Sequence, residues 1–147
     1  MQEYEPQNKE FEKTIRESFA KQNLMQAFGA KLISITPGAA TIELPYRDDL
    51  TQQHGYLHAG VITAIIDSAC GYAALSLMPQ DMEVMSAEYK INLLSPADGE
   101  KLVARGTVLK PGRKLYVVRG DAYSARDGKE KHVAAFQGTM VAVRKKD

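Results

Sequence analysis

Cysteine and tryptophan are scarce in this chain of 147 residues, which has one cysteine, Cys70, and no tryptophan. A single cysteine cannot form an internal disulfide, so the sequence excludes a secreted scaffold held together by disulfides. An excess of charge is lacking too, because 19 Lys and Arg nearly balance 18 Asp and Glu and leave a net charge of +1. This balance gives no support to a role in binding nucleic acid or a membrane surface.

A long hydrophobic run is also missing. Residues 59–66 form the longest apolar stretch, far below the ~20 residues that a membrane span needs. Residues 1–6 are polar and acidic and so unlike a signal peptide. We therefore expect a cytoplasmic protein without a membrane partner. The length predicts a single domain over 1–147 that buries its own core, with 1–23 as an N-terminal helical extension.

Hydrophobic periodicity predicts the order of the secondary structure elements. Spacings of three and four predict a helix over 7–21, and a loop or short turn follows at 22–29. A hairpin over 31–44 precedes a segment, 59–78, that is apolar on nearly every side and reads as a buried helix. Four strands with turns between them fill 86–143. This order predicts an α+β fold in which a curved antiparallel sheet wraps around one long helix.

Three finer expectations follow from these patterns. The first helix places a serine on its apolar face, which consists of Phe11, Ile15, Ser18 and Phe19. The short turn packs three apolar side chains inward, namely Leu24, Met25 and Phe28. Strict alternation in the strand after the long helix predicts a polar face made of Ser86, Glu88, Lys90 and Asn92.

Asp67 is the unusual residue of the long helix. Nearly all of its neighbours are apolar, and a carboxylate is costly to bury without a partner. One interpretation is a structural aspartate that caps a helix or pairs with a cation on a neighbouring strand. The other is a catalytic carboxylate, since ionisable groups in unfavourable surroundings cluster at functional sites.

The residues ahead of Asp67 resemble a known family. His58-Ala59-Gly60 opens the predicted helix, and Asp67 follows nine positions after His58. Together with Ser86 on the next strand, this pattern is similar to the hotdog-fold thioesterases of the PaaI-like, phenylacetate-pathway type. The likeness extends over roughly residues 24–143.

The resemblance implies an acyl-CoA thioesterase, which hydrolyses an acyl-CoA to a carboxylic acid and coenzyme A without a metal or an organic cofactor. Asp67 matches the catalytic carboxylate, which acts as general base or as nucleophile. Ser86 matches a serine that helps to hold the attacking water. Ala59 matches a glycine whose backbone N–H polarises the thioester carbonyl, and Gln52 matches an asparagine near the thioester.

Two of these positions depart from the family pattern. Ala59 replaces a glycine and cannot adopt a positive φ cheaply. Gln52 is one methylene longer than asparagine, and the adjacent Gln53 could face the substrate instead. His58 and Gly60 retain the family residues at the helix entry, where His58 is expected to hydrogen-bond to the backbone.

The resemblance also implies partners. A basic turn could attract the phosphates of coenzyme A, although surface cations are more often only solvated; its residues are Lys110, Gly112, Arg113 and Lys114. In this family the two halves of a site come from two subunits, so a homodimer or homotetramer is implied.

Other readings remain open. His54 and His58 lack a third ligand nearby, so we predict no metal site. Cys70 is expected to be a small buried hydrophobe, and Tyr72 either packs in the core or lines an acyl pocket. Two further functions are a hotdog enoyl-thioester hydratase or dehydratase, which needs a histidine close to Asp67, and a non-catalytic acyl-CoA-binding protein.

Overall fold

The computed structural model describes residues 2–146. A 3-10 turn at Asp48–Leu50 accompanies the regular elements. In chain order these are α1 (Phe11–Lys21), α2 (Asn23–Phe28), β1 (Lys31–Thr36), β2 (Ala39–Pro45), α3 (Ala59–Leu75), β3 (Met82–Leu93), β4 (Lys101–Pro111), β5 (Leu115–Arg126) and β6 (Lys129–Arg144).

The six strands form one antiparallel sheet in the order β1-β2-β4-β5-β6-β3. After β2 the chain forms α3, crosses to the far edge of the sheet as β3, and returns to β4 beside β2. Helix α3 contacts β2, β4 and β5 most extensively and supplies much of the core. The sequence-based prediction of a sheet wrapped around one long helix is therefore confirmed, and β3 lies at the sheet edge.

Two glycines let α3 lie directly on the sheet. A Cβ atom at Gly106 of β4 would lie 2.5 Å from the carbonyl carbon of Ala69. A Cβ atom at Gly120 of β5 would lie 2.4 Å from Ile66 Cγ2 and 2.8 Å from Cys70 Sγ. Glycine within a strand often marks such a close approach of another backbone. The two glycines thus set the distance between the middle of α3 and the sheet.

Helix α1 begins later than predicted. The Asn8 side-chain oxygen accepts a hydrogen bond from the Glu10 N–H at 2.9 Å, and the Asn8 carbonyl accepts one from the Phe11 N–H at 3.1 Å. These bonds close a turn, so the regular helix starts only at Phe11. Ile15 and Phe19 are buried in the same core as α3 and the sheet.

The segment predicted as a loop or short turn is a six-residue helix, α2, which ends at Gly29 in the left-handed conformation with φ 74°. Met25 is buried and Phe28 is half-buried, as expected, but Leu24 is 48% exposed. Adjacent residues on a helix point about 100° apart. Met25 faces the core, and Leu24, turned by about this angle from it, faces outward.

Helix α3 is shorter and less enclosed than predicted. It ends at Leu75 rather than at residue 78. A stripe at spacings of three and four is only half-buried, and it consists of Thr63, Ala64, Asp67 and Ser68. The rest of the chain leaves this stripe partly open, although α3 contacts β3 as well as β2, β4 and β5. Within residues 2–146, no helix is long and apolar enough to cross a membrane.

Candidate active site

Strand β3 contains a one-residue bulge at Ala87. Ser86 pairs with Met140 and Glu88 pairs with Thr139, so Ala87 has no partner on β6. An extra residue shifts the alternation of side chains by one position. Ser86 therefore points toward α3, whereas Glu88 points to the outer face and accepts a hydrogen bond from the Thr139 hydroxyl. The prediction that Ser86 shares the polar face with Glu88 was wrong for this reason.

Ser86 and Asp67 form the central pair of the site. The Ser86 hydroxyl donates a hydrogen bond to Asp67 Oδ1 at 2.7 Å. Desolvation by burial raises the pKa of Asp67 above its ordinary value of 3.8, and the Ser86 hydrogen bond partly opposes that rise. A raised pKa improves a carboxylate as a proton acceptor near neutral pH.

The surroundings of Asp67 do not match a structural ion pair. Within the described residues no Lys, Arg or His nitrogen lies within 4.0 Å of its carboxylate. Asp67 also lies in the middle of α3, where no backbone N–H awaits a cap. The interpretation as a capping or salt-bridged aspartate therefore loses its support.

Asp67 and Ser86 open onto a cavity of about 190 Å³. Helix α3 contributes Gly71 and Tyr72 to its wall, and α1 contributes Ser18 together with Gln22, the residue that joins α1 to α2. Sequence reasoning did not predict a site role for Ser18 or Gln22. The sequence feature that could have indicated a site role for Ser18 is the presence of a serine on the apolar face of a helix.

The entry to α3 is built around His58. Its Nδ1 atom accepts a hydrogen bond from the Gly60 N–H at 2.8 Å, so His58 is the N-cap of the helix. A Cβ atom at Gly60 would lie 3.1 Å from that nitrogen, which explains why a glycine suits this position. The capped turn presents the Ala59 N–H at the positive end of the helix dipole.

The Ala59 N–H is well placed to polarise a carbonyl. It donates to no acceptor among residues 2–146. Ala59 has a negative φ, because the only described residue other than glycine with a positive φ is Asp127. The replacement of the family glycine by alanine therefore introduces no backbone strain, and the N–H is retained.

Gln52, rather than Gln53, lies beside Ala59. Gln52 is half-buried and lines a cavity of about 360 Å³ with Ala59, Leu93 and Leu94. Its side-chain oxygen accepts the N–H of His54 at 2.5 Å, and its amide nitrogen donates to no acceptor among residues 2–146. Gln53 is exposed in the turn and is not among the residues that line this cavity.

A single chain does not bring the Ala59 N–H close to the Asp67 carboxylate. Ala59 and Asp67 are eight residues apart on one helix, which is about 12 Å along its axis. His58 lies a further residue away and uses Nδ1 for the cap. A hydratase that needs a histidine beside Asp67 is therefore not supported by the geometry within one chain.

The basic turn lies at the level of Ser86 but three strands away. Ser86 pairs with Met140, Met140 with Tyr116, and Tyr116 with Pro111. At about 4.8 Å for each strand step, this separation is about 14 Å. The cations and the glycine of the turn are all exposed, namely Lys110, Gly112, Arg113 and Lys114. The structure thus leaves the turn accessible but remote from Asp67.

Cys70 is not arranged as a nucleophile. Cys70 is a free, buried thiol, and burial raises its pKa, with the charge of Asp67 as a further cause. A thiol that stays protonated is a poor nucleophile. In the part of the chain that the structure describes, no three His, Cys, Asp or Glu side chains are grouped to hold a metal ion.

The sequence of this chain is similar to a family model and to named proteins. The model of the thioesterase superfamily matches residues 54–131. A Saccharolobus solfataricus protein that carries the name of an esterase is 36% identical over 118 residues, which cover 80% of this chain and 83% of that protein. Human acyl-coenzyme A thioesterase 13 is 29% identical over 99 residues, which cover 67% of this chain and 70% of that protein.

The fold of this chain is also similar to solved structures. The crystal structure of a thioesterase family protein from Silicibacter pomeroyi is 44% identical, with a TM-score of 0.90 over 92% of this chain and 99% of that one. The PaaI protein from the phenylacetic acid degradation operon of E. coli has a TM-score of 0.82 at 21% identity, over 91% of this chain and 94% of that one. At this lower identity the likeness to PaaI is one of fold.

Proposed function

We propose that this chain, which belongs to the thioesterase superfamily and has its hotdog fold, hydrolyses the thioester of an acyl-CoA to a carboxylic acid and coenzyme A. The observation that carries the proposal is the Ser86–Asp67 pair at a cavity, with the pKa of the carboxylate raised by burial. The human relative named acyl-coenzyme A thioesterase supports the choice of the coenzyme A ester as substrate.

In the proposed mechanism Asp67 acts as general base. Its carboxylate takes a proton from a water molecule, and the water oxygen attacks the thioester carbonyl carbon. The electron pair of the carbonyl moves to its oxygen, which the Ala59 N–H and the helix dipole stabilise. When the tetrahedral intermediate collapses, the C–S bond breaks and the thiolate of coenzyme A receives the proton. Ser86 holds Asp67 in the orientation that this transfer requires.

We propose that a homodimer completes the site. Strand β3 is a 12-residue edge strand with exposed apolar side chains, including Tyr89 at 47% and Leu93 at 52% exposure. Such an edge is a ready surface for pairing with another strand. Antiparallel pairing of two β3 strands about a two-fold axis at Lys90, with Ala87 left unpaired as it is against β6, would set Ser86 of one protomer opposite Leu93 of its partner.

This pairing has a direct chemical consequence. Leu93 lines the cavity of Gln52 and Ala59, whereas Ser86 lines the cavity of Asp67. The dimer would therefore join the carboxylate of one protomer to the carbonyl-polarising N–H of its partner. Association of two such dimers would give the homotetramer that the family resemblance implies.

The proposal assigns the basic turn to coenzyme A. Lys110, Arg113 and Lys114 are exposed, and clustered cations attract phosphate groups. The chemistry needs no metal or organic cofactor, because water is activated by Asp67 alone. The cytoplasmic location stays a prediction from the sequence.

Thiol release from a panel of acyl-CoAs tests the proposed activity. We expect Asp67→Asn to lower kcat by about 10²–10⁴, the usual contribution of a general base. Asp81→Asn is a matched control, since Asp81 is an exposed surface carboxylate. Failure of the wild-type protein to hydrolyse any acyl-CoA would contradict the function.

A single-turnover reaction in ¹⁸O-labelled water tests the role of the carboxylate. If Asp67 is a general base, the label appears in the carboxylic acid after one turnover. If Asp67 is instead the nucleophile, it forms a mixed anhydride with the acyl group, and attack of water on the Asp67 carbonyl carbon releases the acid and leaves the label in the Asp67 carboxylate of the protein. Mass spectrometry of the acid and of the peptide that contains Asp67 distinguishes the two.

A further inference from the structure

The cavity at Asp67 extends along α3 and ends at a cluster of polar side chains. Tyr72 follows Asp67 by five residues, about 7 Å along the helix axis. On β3, Val84 precedes Ser86 by two residues, which is also about 7 Å. Asp67 and Ser86 thus lie at one end of the cavity, and Tyr72 and Val84 lie at the other.

Gln22 closes the side of the cavity between Ser68 and Tyr72 with both atoms of its amide group. Its nitrogen donates a hydrogen bond to the Tyr72 hydroxyl at 2.9 Å, and its oxygen accepts one from the Ser68 hydroxyl at 2.9 Å. The Ser18 hydroxyl lies 3.3 Å from the same Tyr72 hydroxyl. Gln22 therefore bridges two points of α3 from the junction of α1 and α2, and α3 holds it in place.

A wider groove lies behind this cluster. It has a volume of about 710 Å³ and runs between α1 and the start of β3. The groove and the Asp67 cavity share the residues that separate them, which are Ser18, Gln22, Tyr72 and Val84. These four side chains thus separate the Asp67 cavity, which we call the chamber, from the larger open groove.

The chemistry decides which part of the substrate enters the chamber. The carbonyl carbon must lie close to Asp67, and the large, charged coenzyme A portion must remain in solvent. The closed end beyond Asp67 is therefore available only to the acyl group. A chamber of about 190 Å³ is close to the 150 Å³ of an engineered cavity that binds benzene.

We infer that Gln22 and Tyr72 form the end wall of the acyl chamber and restrict the acyl group to about the size of one ring or a short chain. This inference rests on the proposed function, because it takes Asp67 as the reacting end of the chamber. A longer alkyl chain would have to break the hydrogen bonds of the Gln22 amide and leave its polar atoms against hydrocarbon. Leaving these polar atoms without partners costs free energy, so the end wall disfavours longer acyl groups by this cost as well as by the limited volume.

Two substitutions change the chamber in opposite directions. Gln22→Ala removes the wall and connects the chamber to the groove. Gly71→Ala adds a methyl group to the side wall, where its Cβ atom would meet only Val84 Cγ1, at 3.9 Å. Gln26→Ala is the matched control, because Gln26 is an exposed glutamine on α2 whose side chain bonds to the Phe19 carbonyl.

The test compares kcat/KM for acetyl-, phenylacetyl- and decanoyl-CoA in these three variants and the wild type. We expect Gln22→Ala to raise the ratio of decanoyl to acetyl turnover at least about tenfold, since each methylene in a pocket contributes 10–200-fold. Gly71→Ala should lower the ratio of phenylacetyl to acetyl turnover about tenfold, and Gln26→Ala should change neither ratio. Unchanged ratios in both chamber variants would overturn the inference.

Dissociation constants of non-hydrolysable thioether analogues with the same acyl groups separate this inference from the proposed function. If Gln22→Ala binds the decanoyl analogue more tightly relative to the acetyl analogue, but no protein hydrolyses any acyl-CoA, the thioesterase activity is refuted and the end wall is supported. If Gln22→Ala and Gln26→Ala change this ratio of dissociation constants equally, the end wall is overturned, because such a change would indicate a general loosening of α1 and α2.

Discussion

Ser86 reaches Asp67 because β3 has one extra residue, Ala87, between Ser86 and Glu88. Without this bulge, regular alternation would place Ser86 on the outer face with Glu88. Bulges often re-aim a side chain beside an active site. The 2.7 Å hydrogen bond between Ser86 Oγ and Asp67 Oδ1 is therefore a product of strand pairing, and it orients the carboxylate and partly offsets the rise in its pKa that burial causes.

Ser86→Ala tests the role of this hydrogen bond. A hydrogen bond to a charged group contributes about 1.5–3 kcal/mol, so we expect kcat/KM to fall about 10- to 100-fold. The bond lowers the pKa of Asp67, so its loss should move the acid limb of the pH–rate profile to higher pH. A lower rate with an unshifted acid limb would mean that Ser86 acts on water and not on Asp67.

Asp67→Asn should stabilise the fold at neutral pH. The pKa of Asp67 is raised above 3.8 by burial, so between 3.8 and the raised value the native state binds more protons than the unfolded state. The stability of the wild-type protein therefore falls as the pH rises through this window. We expect the variant to be more stable at pH 7, with the difference shrinking as the pH falls and vanishing below about 3.8.

Urea unfolding of both proteins at several pH values measures this difference, at one protein concentration because association affects stability. A variant less stable than the wild type at pH 7 would show that the ionised carboxylate makes a net stabilising contact.

Gly106→Ala should destabilise the protein by about 1–3 kcal/mol, the usual cost of overpacking. Its Cβ atom would lie 2.5 Å from the backbone of Ala69, which cannot move without shifting α3. Gly71→Ala is the matched control on α3, where the Cβ atom has room and alanine favours the helix by up to about 1 kcal/mol. Thermal unfolding of both variants checks the prediction, and equal melting temperatures would contradict it.

Mixed dimers test whether the site lies between subunits. Asp67→Asn and Gln52→Ala each inactivate one half-site, and loss of one carbonyl-polarising donor typically costs ~10²–10³ in rate. If the halves come from different protomers, a mixed dimer regains one intact site. Unfolding the two variants together and refolding them should restore about a quarter of the wild-type activity by random two-fold pairing. No recovery, although mass spectrometry shows mixed dimers, would place both halves in one chain.

Local sequence patterns were sufficient to predict much of the fold. The apolar helix around Asp67 forms, and so does the expected turn between the last two strands, where Asp127 and Gly128 have φ of 52° and 73°. The errors have two causes. Short-range hydrogen bonds of Asn8 delay the start of α1, and the packing of distant segments around α3 leaves Asp67 half-buried.

By itself the sequence determined which residues are candidates for the chemistry. A carboxylate in an apolar helix, nine positions after His58, was enough to single out Asp67 as the candidate and to indicate the family resemblance, because helix period and spacing are local properties. Only the tertiary structure decided how those residues are arranged. The direction of Ser86 depends on a bulge defined by its partner strand, and the end of the cavity depends on Gln22, 46 residues from its partner Ser68. Such relationships arise from packing between segments, which no local pattern encodes.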